Sequence, residues 1–107
     1  MLKLVDIFSI SQLAKSHGIL SAIDNTFATP IVQTPIALGI DIVIHSATKY
    51  FGGHSDITAG AVASSKLIID KLWLLAKDFG GSLSDFSVWM LERSMKTLSL
   101  RVKAQQR

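Results

Sequence analysis

Two short apolar runs, residues 19–23 and residues 40–44, constrain the fold of this 107-residue chain more than any other feature. Both are rich in isoleucine, and neither alternates apolar with polar residues as a strand with one solvated face would. Such runs are typical of strands that helices cover on both faces. Segments with helical spacing or capping residues flank them at 7–17, 65–79 and 84–98. The sequence therefore predicts an α/β fold with a mainly parallel sheet.

The expected ends of the other elements follow from capping residues and glycines. Ser9 and Gln12 have the spacing of a capping box at the start of the first helix, and Gly18 would end that helix. Residues 25–34 are expected to form a loop. A small, apolar third strand is predicted at residues 57–63.

The composition indicates a globular chain with more apolar surface than a small free-standing domain needs. Hydrophobic residues make up 49 % and charged residues 18 % of the chain, so we expect further protein to cover the surplus. No apolar run approaches the roughly 20 residues of a membrane span, and we expect no signal or transit peptide at Met1. The absence of cysteine excludes disulfides, thiolate catalysis and zinc–thiolate sites, and favours a cytoplasmic location.

Basic residues near the end of the chain supply much of its formal charge of +3. They are Arg93, Lys96, Arg101, Lys103 and Arg107. No nucleic-acid motif and no stacking aromatic residues accompany them, so we interpret them as a solvated helix face and expect no nucleic-acid partner. The three histidines lack the spacing of zinc ligands, so we expect no metal site.

Polar residues follow the first two predicted strands at their carboxyl ends, where open α/β sheets bind ligands. Asp24 ends the first strand, and Ser46, Thr48 and Lys49 follow the second. This set matches the needs of pyridoxal phosphate, which are an acid for the ring nitrogen, a lysine for a Schiff base and hydroxyls for the phosphate. Burial beside an apolar strand would lower the pKa of the lysine and make it nucleophilic.

Each of these residues also has a purely structural interpretation. An aspartate after a strand is commonly a turn residue, a lysine in a loop is commonly solvated, and Ser46 and Thr48 would satisfy turn amides. From spacing alone the structural interpretation is the more frequent one, and both stay open.

Three motifs in order change that balance. They are DNTFATP at residues 24–30, SATKY at residues 46–50 and GHSD at residues 53–56. Together they closely resemble the Cys/Met-metabolism family of fold-type-I pyridoxal phosphate enzymes, which comprises cystathionine γ-synthases and γ-lyases, methionine γ-lyases and O-acylhomoserine sulfhydrylases. The resemblance extends from LVDI at residues 4–7 to KTL at residues 96–98. Ser94 departs from it, since the family usually has glycine there.

The resemblance implies a role for each candidate site residue. Lys49 would carry the Schiff base and move protons, and Asp24 would pair with the pyridinium nitrogen. Ser46 and Thr48 would bind the phosphate, and Thr26 would lie near the ring. Structural roles are expected for Tyr50, His54 and Asp56.

The resemblance also implies what surrounds these residues. Residues 1–107 would be the central part of a three-layer, pyridoxal phosphate-binding large domain, with an N-terminal arm and a small C-terminal domain outside them. The parent enzyme would be a dimer of dimers that acts on homoserine-derived or sulfur amino acids. We favour γ-replacement, by a cystathionine γ-synthase or O-acylhomoserine sulfhydrylase, with γ-elimination as the alternative. The isolated chain is expected to be inactive, because positioning groups would be missing.

Two other classes of function compete with this interpretation. Residues 46–49 also match the S-x-x-K motif of penicillin-binding proteins and β-lactamases, in which the serine is acylated. The partner motifs Ser-Asp-Asn and Lys-Thr-Gly are absent from the sequence, and the serine follows a predicted strand. The second alternative is an inactive chain that serves only as a folding or assembly module.

Overall fold

Helices and short strands alternate along residues 3–106, the part of the chain that this computed structural model describes. The elements are α1 (Ile7–Ser16), β1 (Ala22–Asp24), α2 (Thr29–Val32), a 3₁₀ turn (Pro35–Leu38), β2 (Ile42–Ser46), β3 (Gly60–Ser64), α3 (Lys66–Phe79), α4 (Asp85–Met95) and α5 (Leu98–Gln105). Within the described range no helix is long and apolar enough to cross a membrane.

The three strands form one sheet in the order β1-β2-β3. β1 runs parallel to β2, with Asp24 opposite Ile44, whereas β3 is antiparallel to β2, with Gly60 opposite Ser46. The predicted α/β class is confirmed, and the described sheet is mixed where a mainly parallel one was expected. The chain returns from β2 to β3 through a loop, and an antiparallel pair does not need the helical crossover that a parallel pair requires.

The boundary between α1 and β1 shows why the first strand begins later than residue 19. Gly18 has a φ of +64°, and its N–H donates to Lys15 O. The N–H of Ile19 donates to Ala14 O at 2.9 Å. These two bonds form a Schellman motif with Gly18 at C′, as the sequence predicted. Ile19 therefore belongs to the helix cap, and β1 begins at Ala22.

The predicted capping box at the start of α1 is wrong. The N-cap is Asp6, which accepts the backbone N–H of Ser9 at 3.0 Å and the hydroxyl of Ser9 at 2.8 Å. A carboxylate at this end also interacts favourably with the helix dipole. Ser9 thus lies within the first turn of α1.

The loop expected at residues 25–34 contains the short helix α2. Its first residue, Thr29, is fully buried and has a φ of +60°, which is rare for a β-branched residue. The Thr29 hydroxyl accepts the N–H of Ile31 at 3.2 Å. This local contact helps the chain to turn into α2 within a segment that carries Pro30.

The helix predicted at residues 84–98 is divided into α4 and α5. The Ser94 carbonyl at the break accepts the N–H of Thr97 at 3.2 Å and its hydroxyl at 3.1 Å. A threonine hydroxyl that bonds a nearby carbonyl competes with regular helical bonding. Consequently α4 ends at Met95 and α5 begins at Leu98.

The buried apolar cluster lies between α5 and the turn that follows β2. Leu98 and Val102, one turn apart on α5, pack with Ala47 and Phe51. Much of the apolar surplus lies on the surface instead. α3 has no buried residue, and Phe79 at its end is 86 % exposed. Our expectation that further protein covers this surface stays a prediction.

The two serine N-caps of the longer helices allow a matched test of capping. We expect Ser84→Ala to lower the free energy of unfolding by about 1 kcal/mol, because Ser84 Oγ accepts the N–H of Ser87. Ser65 occupies the same position before α3 but caps no N–H with its side chain. Urea unfolding of the full-length protein should show a smaller loss of unfolding free energy for Ser65→Ala. Equal losses would contradict this assignment.

Candidate active site

The parallel pairing of β1 and β2 brings the first two polar strand ends together. Asp24 is the last residue of β1 and lies opposite Ile44, two residues before the end of β2 at Ser46. The N–H of Asn25 continues the ladder by donating to Ile44 O at 2.8 Å. The carboxylate and the hydroxyl therefore leave the sheet at the same edge, as the sequence predicted.

Three hydrogen bonds connect Asp24 to Lys49. The N–H of Thr26 donates to Asp24 Oδ1 at 2.9 Å, and the N–H of Ser46 donates to Thr26 Oγ1 at 2.7 Å. The N–H of Lys49 then donates to Ser46 O at 3.1 Å. The acid, the two hydroxyl residues and the lysine thus share one bonded framework, although only the Thr26 contacts involve side chains. We refer to these three bonds as the Asp24–Lys49 relay.

Asp24 is held in its charged form. Hydrogen bonds from the Thr26 hydroxyl and then from the Thr26 N–H lower the pKa of Asp24 below its ordinary value, against a small opposing effect of desolvation. The side chain is exposed, so a carboxylate oxygen stays accessible. An ionised, accessible carboxylate fits the requirement for keeping a pyridine nitrogen protonated.

Lys49 lies in a tight turn directly after β2. The N–H of Gly52 donates to Ala47 O at 2.8 Å, and the N–H of Gly53 donates to Lys49 O at 2.7 Å. The lysine side chain is exposed, so the burial that we expected beside an apolar strand is wrong for the described residues. The strand ends before the lysine and does not cover it.

An open cleft of about 760 Å³ lies on one side of this turn. The residues that line it include Lys49, Thr48, Phe27 and Asp56. The cleft is not lined by Asp24, Thr26 or Ser46. These three residues are connected to the backbone of Lys49 by the hydrogen bonds of the relay, and they do not share a pocket with its side chain.

The two predicted phosphate-binding hydroxyls have different surroundings. Thr48 Oγ1 accepts the N–H of Ala59 at 3.0 Å and donates to Ala59 O at 3.3 Å. The Ser46 hydroxyl has no hydrogen-bond partner among residues 3–106 and is free to donate. Ser46 therefore fits a phosphate oxygen as it stands, whereas Thr48 would have to give up a long bond.

His45 is a buried residue that the sequence did not single out. Its ring stacks on Phe51 with 4.6 Å between centroids, and its Nδ1 has no hydrogen-bond partner within the described range. Burial lowers the pKa of His45, and the negative charge of Asp24 opposes that shift. His45 is therefore neutral at pH 7, and its ring helps to place the turn that carries Lys49.

Arg101 is the second residue that the sequence did not reveal, and its interpretation as part of a solvated face is wrong. It is half-buried, and its Nη1 donates to Tyr50 O at 2.7 Å. Lys96 and Lys103 are exposed as predicted, while Arg107 lies outside the described residues. The only sequence signal for Arg101 is its position one helical turn after Thr97, whose hydroxyl it contacts.

The family profile of the Cys/Met metabolism PLP-dependent enzymes matches residues 1–107. The chain belongs to this family, whose cofactor is pyridoxal phosphate, and the resemblance recognised in its motifs is confirmed. Members of the family are enzymes, as the names of its relatives indicate.

Two relatives and one solved structure illustrate the similarity. The cystathionine beta-lyase of Lactococcus lactis subsp. cremoris (strain MG1363) is 50 % identical over 97 % of this chain, and the cystathionine gamma-synthase/O-acetylhomoserine (thiol)-lyase of Bacillus subtilis (strain 168) is 47 % identical over 94 %. The chain spans 28 % and 27 % of their lengths. The crystal structure of cystathionine gamma-lyase from Lactobacillus plantarum complexed with L-serine has a TM-score of 0.89 at 47 % identity, covering 92 % of this chain and 26 % of that one. The predicted fold-type-I class is confirmed.

Thr26 offers a test of the relay. We expect Thr26→Val to lower the free energy of unfolding by about 1–3 kcal/mol, because it leaves the N–H of Ser46 without its acceptor. The same change should raise the pKa of Asp24, which ¹³C NMR of the labelled carboxyl would measure. Thr34→Val is the matched control, since Thr34 is exposed and its side chain caps no N–H. The relay would be refuted by equal effects of both variants.

His45 predicts a pH dependence of stability. Because its folded-state pKa lies below the ordinary value of 6.5, the unfolded chain binds the proton more readily. The contribution of a neutral His45 is complete above pH 6.5 and is lost as the pH falls below it. Urea unfolding at pH 7.5 and pH 5.5 should therefore show a smaller acid-induced loss in His45→Leu than in the wild type. The exposed His17→Leu serves as the control and should keep the wild-type loss.

Proposed function

We propose that residues 1–107 form the central part of the cofactor-binding large domain of a pyridoxal phosphate-dependent enzyme that acts on sulfur-containing or homoserine-derived amino acids. The observation that carries this proposal is the Asp24–Lys49 relay, which connects an ionised carboxylate to the backbone of a lysine at one sheet edge. The family match over the whole chain supports the choice of cofactor. Because the chain spans 28 % of a curated relative, the activity of the whole protein is part of the proposal.

Each residue of the site would have a distinct task. When bound, pyridoxal phosphate supplies a protonated ring that withdraws electrons from the substrate's α-carbon. Asp24 would accept a hydrogen bond from the ring nitrogen and hold its proton in place. Lys49 Nζ would bind the cofactor and, once the substrate amine displaces it, take the proton from the α-carbon.

The hydroxyl residues would bind and orient. Ser46, whose hydroxyl is free among the described residues, would donate to a phosphate oxygen, and Thr48 would do so after releasing Ala59 O. Thr26 would lie beside the ring and hold Asp24 charged through its own hydroxyl and N–H. The structural role expected for His54 is supported by the contact of its Nδ1 with Gly52 O at 2.7 Å.

Two reactions belong to this proposal. Elimination of a sulfur-bearing group is the first candidate, because similar proteins are named cystathionine beta-lyase and cystathionine gamma-lyase. The second is γ-replacement, which we favour under the family resemblance and which the Bacillus subtilis relative supports through its name. Product analysis separates them, since β-elimination of cystathionine yields pyruvate, γ-elimination yields 2-oxobutyrate, and γ-replacement joins a homoserine ester to a thiol.

The proposal extends to the assembly and location of the enzyme. A dimer of dimers would cover apolar surface such as that of α3, which buries none of its residues here. A cytoplasmic location is consistent with a chain that has no cysteine for disulfides. We expect residues 1–107 alone to be inactive, because further groups that bind the substrate carboxylate and the cofactor would be needed.

Lys49 provides the direct test. The wild-type protein, produced with every residue its gene encodes, should gain an absorbance band near ~420 nm with pyridoxal phosphate. Borohydride reduction and peptide mass spectrometry should then locate the cofactor on Lys49. We expect Lys49→Ala to lose the band and to lower kcat by about 10²- to 10⁴-fold, because a general base is removed. Lys71→Ala, at an exposed position of α3, is the matched control and should keep both.

Two outcomes would favour the other classes of function. A folded wild-type protein without the band and without products would support an inactive folding or assembly module. Labelling of Ser46 by a fluorescent penicillin would support serine acylation.

A further inference from the structure

Arg101 reaches from α5 to the backbone of the turn that carries Lys49. Its Nη1 donates to Tyr50 O at 2.7 Å, and its Nη2 lies 3.4 Å from Phe51 O. These are the carbonyls of the two residues directly after Lys49. Hydrogen bonds from a charged donor are stronger than neutral ones, and the planar guanidinium can serve several acceptors at once.

The other side of the guanidinium is fixed to the helices. Nη2 also donates to Ser94 O at 3.0 Å, at the break between α4 and α5, and Nε donates to Thr97 Oγ1 at 3.0 Å. No carboxylate among residues 3–106 forms an ion pair with Arg101. The positive charge is therefore directed at carbonyl oxygens, and Arg101 links the turn to the place where the last two helices meet.

The apolar side of the same turn is held as well. The Phe51 side chain is buried against Leu98 and Val102 of α5 and stacks on His45 at the end of β2. Stacking on His45 thus anchors the turn to the sheet, and packing against Leu98 and Val102 anchors it to α5.

Gly53 shows how closely the guanidinium fits the turn. A Cβ added at Gly53 would clash with the Arg101 guanidinium, and the φ of Gly53 is +75°. The guanidinium occupies the space that a side chain at residue 53 would take. The backbone conformation favours glycine at this position, and a larger residue would displace the guanidinium.

We propose that Arg101 is a positioning residue for Lys49. By holding the carbonyls of Tyr50 and Phe51, it fixes the turn from which the lysine side chain extends, and so restricts where Nζ can reach. This inference rests on the proposed function, because a fixed amine matters only where Lys49 binds a cofactor. A small displacement of a catalytic group is enough to lower its efficiency substantially.

The test compares Arg101→Met, Arg101→Lys and a control, Lys103→Met, in the protein produced with every residue its gene encodes. Lys103 is a basic residue on the same helix, is exposed and makes no hydrogen bond with the turn. Two properties are measured in each variant. Hydrogen exchange of the amides at residues 49–53 reports the order of the turn without any cofactor. The absorbance band with pyridoxal phosphate, recorded as a function of pH, reports the surroundings of Nζ.

Arg101→Met should speed exchange at residues 49–53 by about tenfold and shift the pH midpoint of the band, and it should weaken cofactor retention by about tenfold. Arg101→Lys should recover part of each effect, since an ammonium group can reach only one of the carbonyls. Lys103→Met should match the wild type. Thr97→Val keeps the arginine but removes the hydrogen-bond acceptor of its Nε, so it should produce smaller changes in the same direction. This variant provides the test if Arg101→Met does not fold.

Different results overturn different claims. A normal wild-type band whose pH midpoint and retention are unchanged in Arg101→Met, or in Thr97→Val if that is the variant that folds, overturns the positioning role and leaves Arg101 a structural residue. Unchanged exchange at residues 49–53 overturns it as well. A wild type that never forms the band overturns the proposed function itself, together with the inference that depends on it.

Discussion

The hydrogen bond from the N–H of Ser46 to Thr26 Oγ1 is the contact on which the candidate site depends. Ser46 is the last residue of β2, and its backbone N–H needs an acceptor. Thr26 is buried and supplies that acceptor while its own N–H and hydroxyl hold Asp24. One side chain thereby makes two separate strand ends a single unit. Without it, only the backbone pairing of β1 with β2 would hold the acid near the turn that carries the lysine.

Sequence reasoning succeeded where the physical cause is local. The isoleucine-rich runs predicted the first residues of β1 and β2 to within two or three positions. Gly18 correctly predicted the end of α1, because glycine readily adopts the left-handed conformation of the cap. It failed where a partner lies far along the chain. The contact of Arg101 with Tyr50 spans 51 positions, and no periodicity or motif encodes such a pair. The antiparallel β3 also depends on the path of a loop, which apolar patterning does not specify.

The candidate site shows the same division. The sequence singled out Asp24, Ser46, Thr48 and Lys49 because their chemical types suit pyridoxal phosphate. Family membership supports the choice of cofactor, and the roles of these residues stay predictions. His45 was overlooked because its role comes from stacking on Phe51 and from burial. Neither property can be recognised from the residue type alone. The expected burial of Lys49 failed for a related reason. An apolar strand covers the residues within it, and Lys49 lies in the turn beyond it.

The loop between β2 and β3 has a consequence for how the chain acquires its structure. Thr48 and Ala59 exchange three hydrogen bonds across it, and the strands on either side pair directly. Closing a loop of about a dozen residues costs little chain entropy, and contacts of low sequence separation favour rapid folding. The lysine loop can therefore close as a local hairpin, independently of the more distant β1. During synthesis on a ribosome, this loop can close once β3 has emerged, and Arg101 of α5 fixes the turn that carries Lys49 only later.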